Sequence, residues 1–294
     1  MIADGLMAAL ITSYDDEGKI SLERQADLID HVLMQGLQGL FVSGSTGEAY
    51  LQTVDERIHT ISGAIEHVDG RAAVVAHTAA MDTPTTISLT ERAVEAGADA
   101  IAVVTPIYYL YDDAQFEQYF RDVAAASSDV PVIAYHIPAR THVDLSPDFF
   151  VKLAHEGILQ GLKYTSTNLY PLAEVARKAP QEFRIFNGSD EVLLGGLALG
   201  AHGGIGSTYN VIGAVYATLV ENFRASELRS ARLQQDLANQ FIEEMNGYDF
   251  LVFLREALRF RGIETGHGRR PLPTITSEEH DRIFGFLTSF ETNL

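Results

Sequence analysis

Eight short apolar segments alternate with longer amphipathic ones along this sequence, and the repeat constrains the fold more than any other feature. The apolar segments have the length and β-branched content of buried strands, which we predict at residues 7–11, 39–43, 72–78, 100–106, 131–137, 158–166, 183–187 and 203–207. The segments between them predict helices at residues 22–35, 53–67, 85–96, 114–126, 147–155, 191–199 and 212–222. Buried strands that alternate with helices form parallel sheets, and eight such units predict a closed (β/α)₈ TIM barrel.

An open, doubly wound sheet is the competing architecture. Such a sheet usually has fewer strands per domain, and no GxGxxG sequence follows the first predicted strand. No proline-rich or polar linker interrupts the eight units, so we assign residues 1–225 to one catalytic barrel domain. Residues 226–294 have helical periodicity and predict a C-terminal helical extension.

The charge and composition narrow the possible partners. The chain has 40 acidic and 21 basic residues, a formal net charge of −19, which repels nucleic acids and anionic membranes. No cysteine is present, which excludes disulfides, thiolate catalysis and cysteine-bound metals. No apolar run is long enough to span a bilayer, and residues 1–16 lack the basic region of a secretory signal. We therefore expect a cytoplasmic protein that binds neither nucleic acid nor membrane.

One lysine lies inside a predicted strand. Lys163 is set among Leu162, Tyr164 and Thr165, whereas the other three lysines lie in polar or amphipathic surroundings. Burial lowers the pKa of an ammonium group, so a neutral amine forms near pH 7, and a neutral amine can attack a ketone. The alternative is a lysine at a strand end whose side chain reaches water or pairs with a carboxylate.

Other reactive side chains follow the carboxyl ends of the predicted strands, which share one rim of a barrel. Ser45 and Thr46 lie in the turn GSTGE, which can bind a carboxylate or phosphate through hydroxyl and N–H groups. Tyr135 lies late in the fifth strand, and a buried phenol hydrogen-bonded to Thr46 could relay a proton. The remaining candidates on this rim are Tyr108, Tyr109, Asp190, Glu191 and Ser207.

Each candidate also has an ordinary structural explanation. Glycine, serine and threonine are common turn residues, and a tyrosine late in a barrel strand often only packs in the core. Asp190 and Glu191 precede a predicted helix, whose dipole favours acids at its N-terminus. Their grouping on one rim favours function.

Five motifs carry a resemblance to a known family. GSTGE, YHIPART, GLKYTS, NGSDE and GGIGSTYN resemble, in this order, the pyruvate-dependent Schiff-base (class I) aldolases that include N-acetylneuraminate lyase and dihydrodipicolinate synthase. The resemblance implies that Lys163 forms an imine with pyruvate, without a metal or organic cofactor, and that Tyr135 relays the proton. It also implies that Ser45 and Thr46 bind the pyruvate carboxylate. Tyr108 would enter the site of a neighbouring subunit in a homotetramer built as a dimer of dimers.

Different residues of these motifs resemble different members of the family. Five residues resemble those with which N-acetylneuraminate lyase binds the hydroxyls of its sugar, namely Thr165, Gly188, Asp190, Glu191 and Ser207. Arg140 instead matches the arginine with which the synthases bind the carboxylate of aspartate semialdehyde, unless it pairs with Asp144. The resemblance therefore implies cleavage of N-acetylneuraminate, or a related 2-keto-3-deoxy sugar acid, to pyruvate and an aldehyde. Dihydrodipicolinate synthase and a keto-aldarate aldolase or dehydratase are the alternatives.

Other chemistries have weaker support. The ten histidines form no HxH or HExxH spacing, and GxSxG is absent, so neither a metal enzyme nor a serine hydrolase is indicated. A barrel that only senses a keto acid or sugar remains open, although Lys163 and Tyr135 are both present. Residues 266–274, GHGRRPLPT, form a basic loop that we expect to pair with acidic residues of the chain.

Overall fold

The computed structural model describes residues 2 and 4–292 and contains a closed barrel of eight parallel strands. The strands are β1 (Gly5–Ala9), β2 (Gly39–Val42), β3 (Ala73–His77), β4 (Ala100–Val104), β5 (Val132–His136), β6 (Gly161–Tyr164), β7 (Arg184–Asn187) and β8 (Gly203–Gly206). They follow chain order around the barrel, and β8 closes it by pairing with β1. The predicted (β/α)₈ fold is confirmed. Strand β1 begins before the predicted segment, at Gly5, which adopts a φ of +136° that favours glycine.

The strands are short and buried on both faces. Every residue of β1, β2, β4, β5, β6 and β8 is buried, because one face lines the barrel interior and the other packs against helices. This double burial explains why the strands read as continuous apolar runs in the sequence. It also means that the lysine of β6 cannot lie on a solvated face of the sheet.

Twelve helices accompany the strands in the described part of the chain. They are α1 (Leu22–Met34), α2 (Val54–Val68), α3 (Thr83–Glu95), α4 (Asp113–Ala126), α5 (Pro138–Thr141), α6 (Pro147–His155), α7 (Tyr170–Lys178), α8 (Leu193–Ala198), α9 (Tyr209–Arg224), α10 (Leu228–Met245), α11 (Phe250–Phe260) and α12 (Ser277–Glu291). Helices α5 and α7 were not predicted from the sequence. Each has a proline in its first turn, Pro138 and Pro171, where proline fits. Among the described residues, no helix combines the length and apolar content needed to cross a bilayer.

The three C-terminal helices pack onto the barrel. Phe241 of α10, Phe253 of α11 and Phe290 of α12 belong to the same hydrophobic core as the barrel strands, and α10 packs along α9. The predicted helical extension is present. Its separation from the barrel at residues 225 and 226 stays a prediction, and residues 1, 3, 293 and 294 of the predicted ranges lie outside the described residues.

A buried ion pair ties the extension to the turn after β2. Glu48 ends the GSTGE turn in a left-handed conformation, with a φ of 57°, and its carboxylate pairs with Arg255 of α11. The two side chains are only 1% and 4% exposed. Arg269 of the basic loop donates its backbone N–H to Glu48 at 2.9 Å and its guanidinium to Glu56 at 2.5 Å. The expected pairing of this loop with acids of the chain is confirmed.

Removing one member of this pair should be costly. Arg255→Met should lower the free energy of unfolding by about 3–5 kcal/mol, because it leaves the buried carboxylate of Glu48 without its partner. As a control, Lys19→Met breaks the exposed pair with Glu17 and should change stability by less than about 1 kcal/mol. Urea denaturation measures both values. Adding Glu48→Gln to Arg255→Met should restore part of the loss, and equal losses for the Arg255 and Lys19 variants would contradict this account.

Candidate active site

Lys163 lies in the interior of the barrel. Its side chain projects from β6, is 4% exposed, and places Nζ 4.2 Å from the ring centroids of both Phe41 and Tyr135. Burial lowers the pKa of Lys163 to about 7, although the charge of Asp190 acts in the opposite direction. The structure therefore disagrees with the alternative of a lysine that reaches water. A large fraction of this amine is neutral near pH 7.

Tyr135 is the neighbour of Lys163 across the sheet. The two residues are paired in the register of β5 and β6, so both side chains point into the barrel. Burial raises the pKa of Tyr135, while the hydroxyls of Ser45 and Thr165 act to lower it, so the phenol keeps its proton at neutral pH. The predicted hydrogen bond to Thr46 is not formed: the hydroxyls that act on the phenol are those of Ser45 and Thr165, and the Thr46 hydroxyl bonds to Ser207 Oγ at 2.7 Å.

The turn after β2 lies close to the lysine. A Cβ atom on Gly44 would lie 2.5 Å from the ring of Phe41, so only glycine lets the turn approach this ring. Thr46 is buried, whereas Ser45 is exposed towards the cavity described below. The turn therefore presents two hydroxyl groups on the same side as the amine.

The carboxylate of Asp190 is buried after β7. Its Oδ2 accepts hydrogen bonds from the Thr208 backbone N–H at 3.0 Å and from the Thr208 hydroxyl at 2.7 Å. Its Oδ1 is buried without a hydrogen-bond partner among the described residues. Burial raises the pKa of Asp190 to about 6, and the Thr208 bonds oppose this rise. The carboxylate of Asp190 is thus held in place by Thr208, and its Oδ1 atom can accept a hydrogen bond from a ligand.

Two adjoining cavities contain most of the predicted residues. The first, of about 470 Å³, is lined by Ser45, Thr46, Tyr135, Arg140, Lys163, Thr165, Gly188 and Ser207. The second, of about 490 Å³, shares Arg140, Thr165, Gly188 and Ser207 with the first and adds Asp190 and Glu191. The lysine lines only the first cavity and the acidic pair only the second, but the two parts form one continuous site, and Asp190 is close enough for its charge to act on Lys163.

Arg140 lines both cavities. Its guanidinium carbon is 5.9 Å from the ring centroid of Phe250, and its side chain is exposed to both cavities. The alternative partner named in the sequence analysis, Asp144, instead approaches His136 Nε2 at 3.2 Å. No carboxylate of the described residues lies within salt-bridge distance of Arg140, which leaves the cation available to a ligand.

Tyr108 lies apart from the other predicted residues. It is 84% exposed, has a φ of 89°, and packs edge to face against Tyr109 with ring centroids 5.1 Å apart. It lines neither cavity of this single chain.

Several lining residues were not predicted from the sequence. The first cavity is also lined by Tyr50 and by three residues from the C-terminal part of the chain, Phe250, Leu251 and Leu272. The second is also lined by Asn239, Ile242, Glu243, Met245 and Asn246, on and just after α10. Helical periodicity marks α10 as amphipathic but does not show which loop it meets.

The residues in these cavities are of the type that binds an organic acid. Within residues 2 and 4–292, no group of three or more histidine, aspartate or glutamate side chains is arranged to hold a metal ion. Hydroxyls and one cation line the cavity of the amine, and Asp190 and Glu191 line the adjoining cavity. This arrangement can form an imine with a keto acid and accept hydrogen bonds from hydroxyls beyond it.

The chain matches known proteins over nearly its whole length. The family model described as the dihydrodipicolinate synthetase family matches residues 3–289. N-acetylneuraminate lyase of Rhizobium meliloti (strain 1021) is 31% identical over 281 residues, which cover 96% of this chain and 92% of the relative. N-acetylneuraminate lyase 2 of Escherichia coli O6:H1 is 34% identical over 278 residues, which cover 94% and 91% of the two chains.

Solved structures also match this chain over nearly its whole length. CdNal from Clostridium difficile in complex with mannosamine is 29% identical, with a TM-score of 0.95 and coverage of 99% of this chain and 100% of that chain. The dihydrodipicolinate synthase DapA-2 of Bacillus anthracis is 26% identical, with a TM-score of 0.94 and coverage of 98% and 99%.

The lowered pKa of Lys163 is measurable by competitive labelling. Acetic anhydride reacts only with the neutral amine, so acetylation of Lys163 should rise with pH and reach half of its maximum near the folded-state pKa of about 7. The exposed Lys19 in the same sample is the reference for reagent reactivity. Mass spectrometry of the two peptides across pH gives both curves. Labelling of Lys163 that increases only above about pH 9, as for a solvated lysine, would contradict the burial described here.

Proposed function

The chain belongs to the dihydrodipicolinate synthetase family and is a pyruvate-dependent class I aldolase. On this premise we propose that it cleaves N-acetylneuraminate, or a related 2-keto-3-deoxy sugar acid, to pyruvate and an aldehyde. The observation that carries the proposal is the presence of one buried amine, Lys163, and one buried carboxylate, Asp190, in a single continuous site. The curated relatives at 31% and 34% identity, both N-acetylneuraminate lyases, support the choice of substrate.

In this proposal Lys163 is the nucleophile. Its neutral Nζ attacks the C2 ketone of the sugar acid, the former carbonyl oxygen takes up one proton from the amine and one from the solvent and leaves as water, and a protonated imine remains. Loss of the proton from the C4 hydroxyl then breaks the bond between C3 and C4. The electron pair of that bond passes into the imine as an enamine, and the aldehyde departs. Protonation of the enamine at C3 and hydrolysis of the resulting imine release pyruvate and restore the amine, so the enzyme needs no metal or organic cofactor.

Tyr135 would relay the proton of the C4 hydroxyl. Because burial keeps the phenol protonated, it can accept this proton only while it donates its own to a neighbouring group. Thr46 is proposed to continue this relay, together with Tyr108 from a neighbouring subunit. Ser45 and Thr46 would also bind the pyruvate carboxylate, since both hydroxyls lie on the turn beside Lys163.

The sugar half would lie between five residues of the two cavities. They are Thr165, Gly188, Asp190, Glu191 and Ser207. Asp190 Oδ1 is buried without a partner among the described residues and can accept a hydrogen bond from a sugar hydroxyl, and the Thr165 hydroxyl lies beside it in both cavities. A Cβ atom on Gly188 would lie 2.0 Å from Thr165 Oγ1, so glycine is needed for the threonine to occupy this position.

Condensation of pyruvate with aspartate semialdehyde, as in dihydrodipicolinate synthase, is the second candidate, and a keto-aldarate aldolase or dehydratase is related to it. One observation favours both. Arg140 is a cation without an acidic partner among the described residues and faces both cavities, where it can bind a second carboxylate.

An assembly of four subunits would complete the site. Tyr108, Tyr109 and Leu110 form an exposed apolar patch, 84%, 67% and 102% exposed in the single chain. Such a patch marks a contact surface. We infer a homotetramer built as a dimer of dimers, in which Tyr108 enters the neighbouring site, and we place the enzyme in the cytoplasm. Its partners would be pyruvate and an aldehyde or sugar, with no nucleic acid or membrane.

Replacing the nucleophile tests the mechanism. Lys163→Ala should abolish turnover and covalent labelling by pyruvate and borohydride, because no imine can form. Lys152→Ala, which removes an exposed lysine paired with Glu117, should retain both. Peptide mass spectrometry locates the label, and pyruvate release measures turnover. Appreciable turnover by the Lys163 variant, with its circular dichroism unchanged, would rule the mechanism out.

Replacing Arg140 separates the two candidate functions. Arg140→Leu should reduce kcat/KM for condensation with aspartate semialdehyde by about 10- to 100-fold, because a charged hydrogen bond is lost. Cleavage of N-acetylneuraminate should change much less. The control Arg92→Leu removes a surface arginine paired with Asp55 and should leave both reactions unchanged. Equal losses in both reactions would show that Arg140 has a structural role.

A further inference from the structure

We propose that α10 forms the outer wall of the aldehyde subsite and selects sugar acids whose neutral, polyhydroxylated chain is long enough to reach it. The inference rests on the proposed function and specifies its substrate class. A nine-carbon acid such as N-acetylneuraminate meets this requirement. A six-carbon acid such as 2-keto-3-deoxygluconate does not, because its chain ends soon after the bond that is cleaved.

The first argument is the position of α10 in the site. The cavity that contains Asp190 and Glu191 is bounded on its far side by Asn239, Glu243 and Asn246. Its near side is shared with the cavity of Lys163. The pyruvate half must stay at the amine, so only the distal part of a substrate can contact α10.

The second argument is that α10 holds the acidic pair in place. The buried Gln235 donates Nε2–H to the Asp190 carbonyl at 3.0 Å and accepts the Leu194 N–H at 3.0 Å. Asn239 Nδ2 donates to the Glu191 carbonyl at 3.2 Å. These two amides lie one turn apart and also bond to each other at 3.1 Å. Gln235 and Asn239 are therefore positioning residues for the turn that carries Asp190 and Glu191.

The third argument is the unused hydrogen-bonding capacity further along the same face. Asn239, Glu243 and Asn246 follow each other at helical spacing, so they point to one side of α10. The side chains of Glu243 and Asn246 have no hydrogen-bond partner among the described residues, and both are exposed to the cavity. An acceptor and an amide in this position match the hydroxyls of a polyol chain.

One buried group shows that the cavity is prepared for a polar ligand. Asp190 lines it, and the Oδ1 atom of this carboxylate has no partner among the described residues. Ile242, Met245 and Phe250 supply apolar contacts for the C–H groups of a sugar or the methyl of an acyl substituent. Asp190, Glu191 and Glu243 are all acidic, whereas the cation Arg140 belongs to the part of the cavity that is shared with Lys163, so a carboxylate beside α10 is disfavoured. The chemistry fits a neutral polyol.

Variants of α10 test this inference in the intact enzyme. Glu243→Ala should lower kcat/KM for N-acetylneuraminate by about 5- to 20-fold, because a hydrogen bond to a charged group is lost. The same variant should leave kcat/KM for 2-keto-3-deoxygluconate and labelling by pyruvate and borohydride unchanged. Asp236→Ala removes an equal charge from α10 outside the cavity and should change none of the three. Equal losses for both substrates, or no loss for either, would overturn the inference.

The positioning residues have a separate test. Asn239→Ala should raise KM for both sugar acids, because it displaces the acidic pair that both would contact, while kcat changes less and pyruvate labelling is retained. Loss of pyruvate labelling in this variant would show a structural role instead. A wild-type enzyme that pyruvate and borohydride do not label would overturn the proposed function and this inference with it. A labelled wild type that prefers the six-carbon acid would overturn this inference alone.

Discussion

The burial of the Lys163 amine away from water is the constraint on which the rest of the structure depends. Burial lowers the pKa of Lys163 from its ordinary 10.5 to about 7, which corresponds to a cost on the order of 5 kcal/mol for the charged form. Since the folded-state pKa lies below the unfolded value, the unfolded chain binds more protons between about pH 7 and 10.5, and stability rises with pH across this window. The eight buried strands and the rings of Phe41 and Tyr135 provide the surroundings that impose this cost. Reactivity is thus obtained at the expense of stability near neutral pH.

The C-terminal helices contribute to the same site as the barrel. Arg255 of α11 neutralises Glu48, and Glu48 belongs to the turn that carries Ser45 and Thr46. Phe250, Leu251 and Leu272 line the cavity of the lysine, and α10 supports the turn after β7. An enzyme of this architecture can therefore change its aldehyde partner through substitutions in α10 while the imine chemistry in the strands is left intact.

Much of the fold and part of the site follow from the sequence, for different reasons. Strands buried on both faces appear as apolar runs, and a lysine in such a run, Lys163, is conspicuous because an ammonium group there loses its hydration. Helix α7 is hard to predict because proline is favourable in the first turn of a helix and disruptive inside it, and the sequence alone does not show which position Pro171 takes. The expected bond between Tyr135 and Thr46 is not formed, since the order of residues does not reveal that the hydroxyls of Ser45 and Thr165 act on the phenol and that Thr46 bonds to Ser207. Phe250 and the α10 residues were not predicted, because periodicity identifies a packing face but not its partner.

The closure of the barrel by β8 and β1 has a consequence for the life of the protein in a cell. The groups around the amine come from β2, β5, β6 and β8 and from the turns after β2 and β7, so a chain that ends before β8 lacks part of them. During synthesis Lys163 is an ordinary solvated lysine, protonated and slow to condense with the aldehydes and ketones of metabolism. It becomes a strong nucleophile only when the last strand completes the ring. The protein thereby avoids adduct formation on its own unfinished chains.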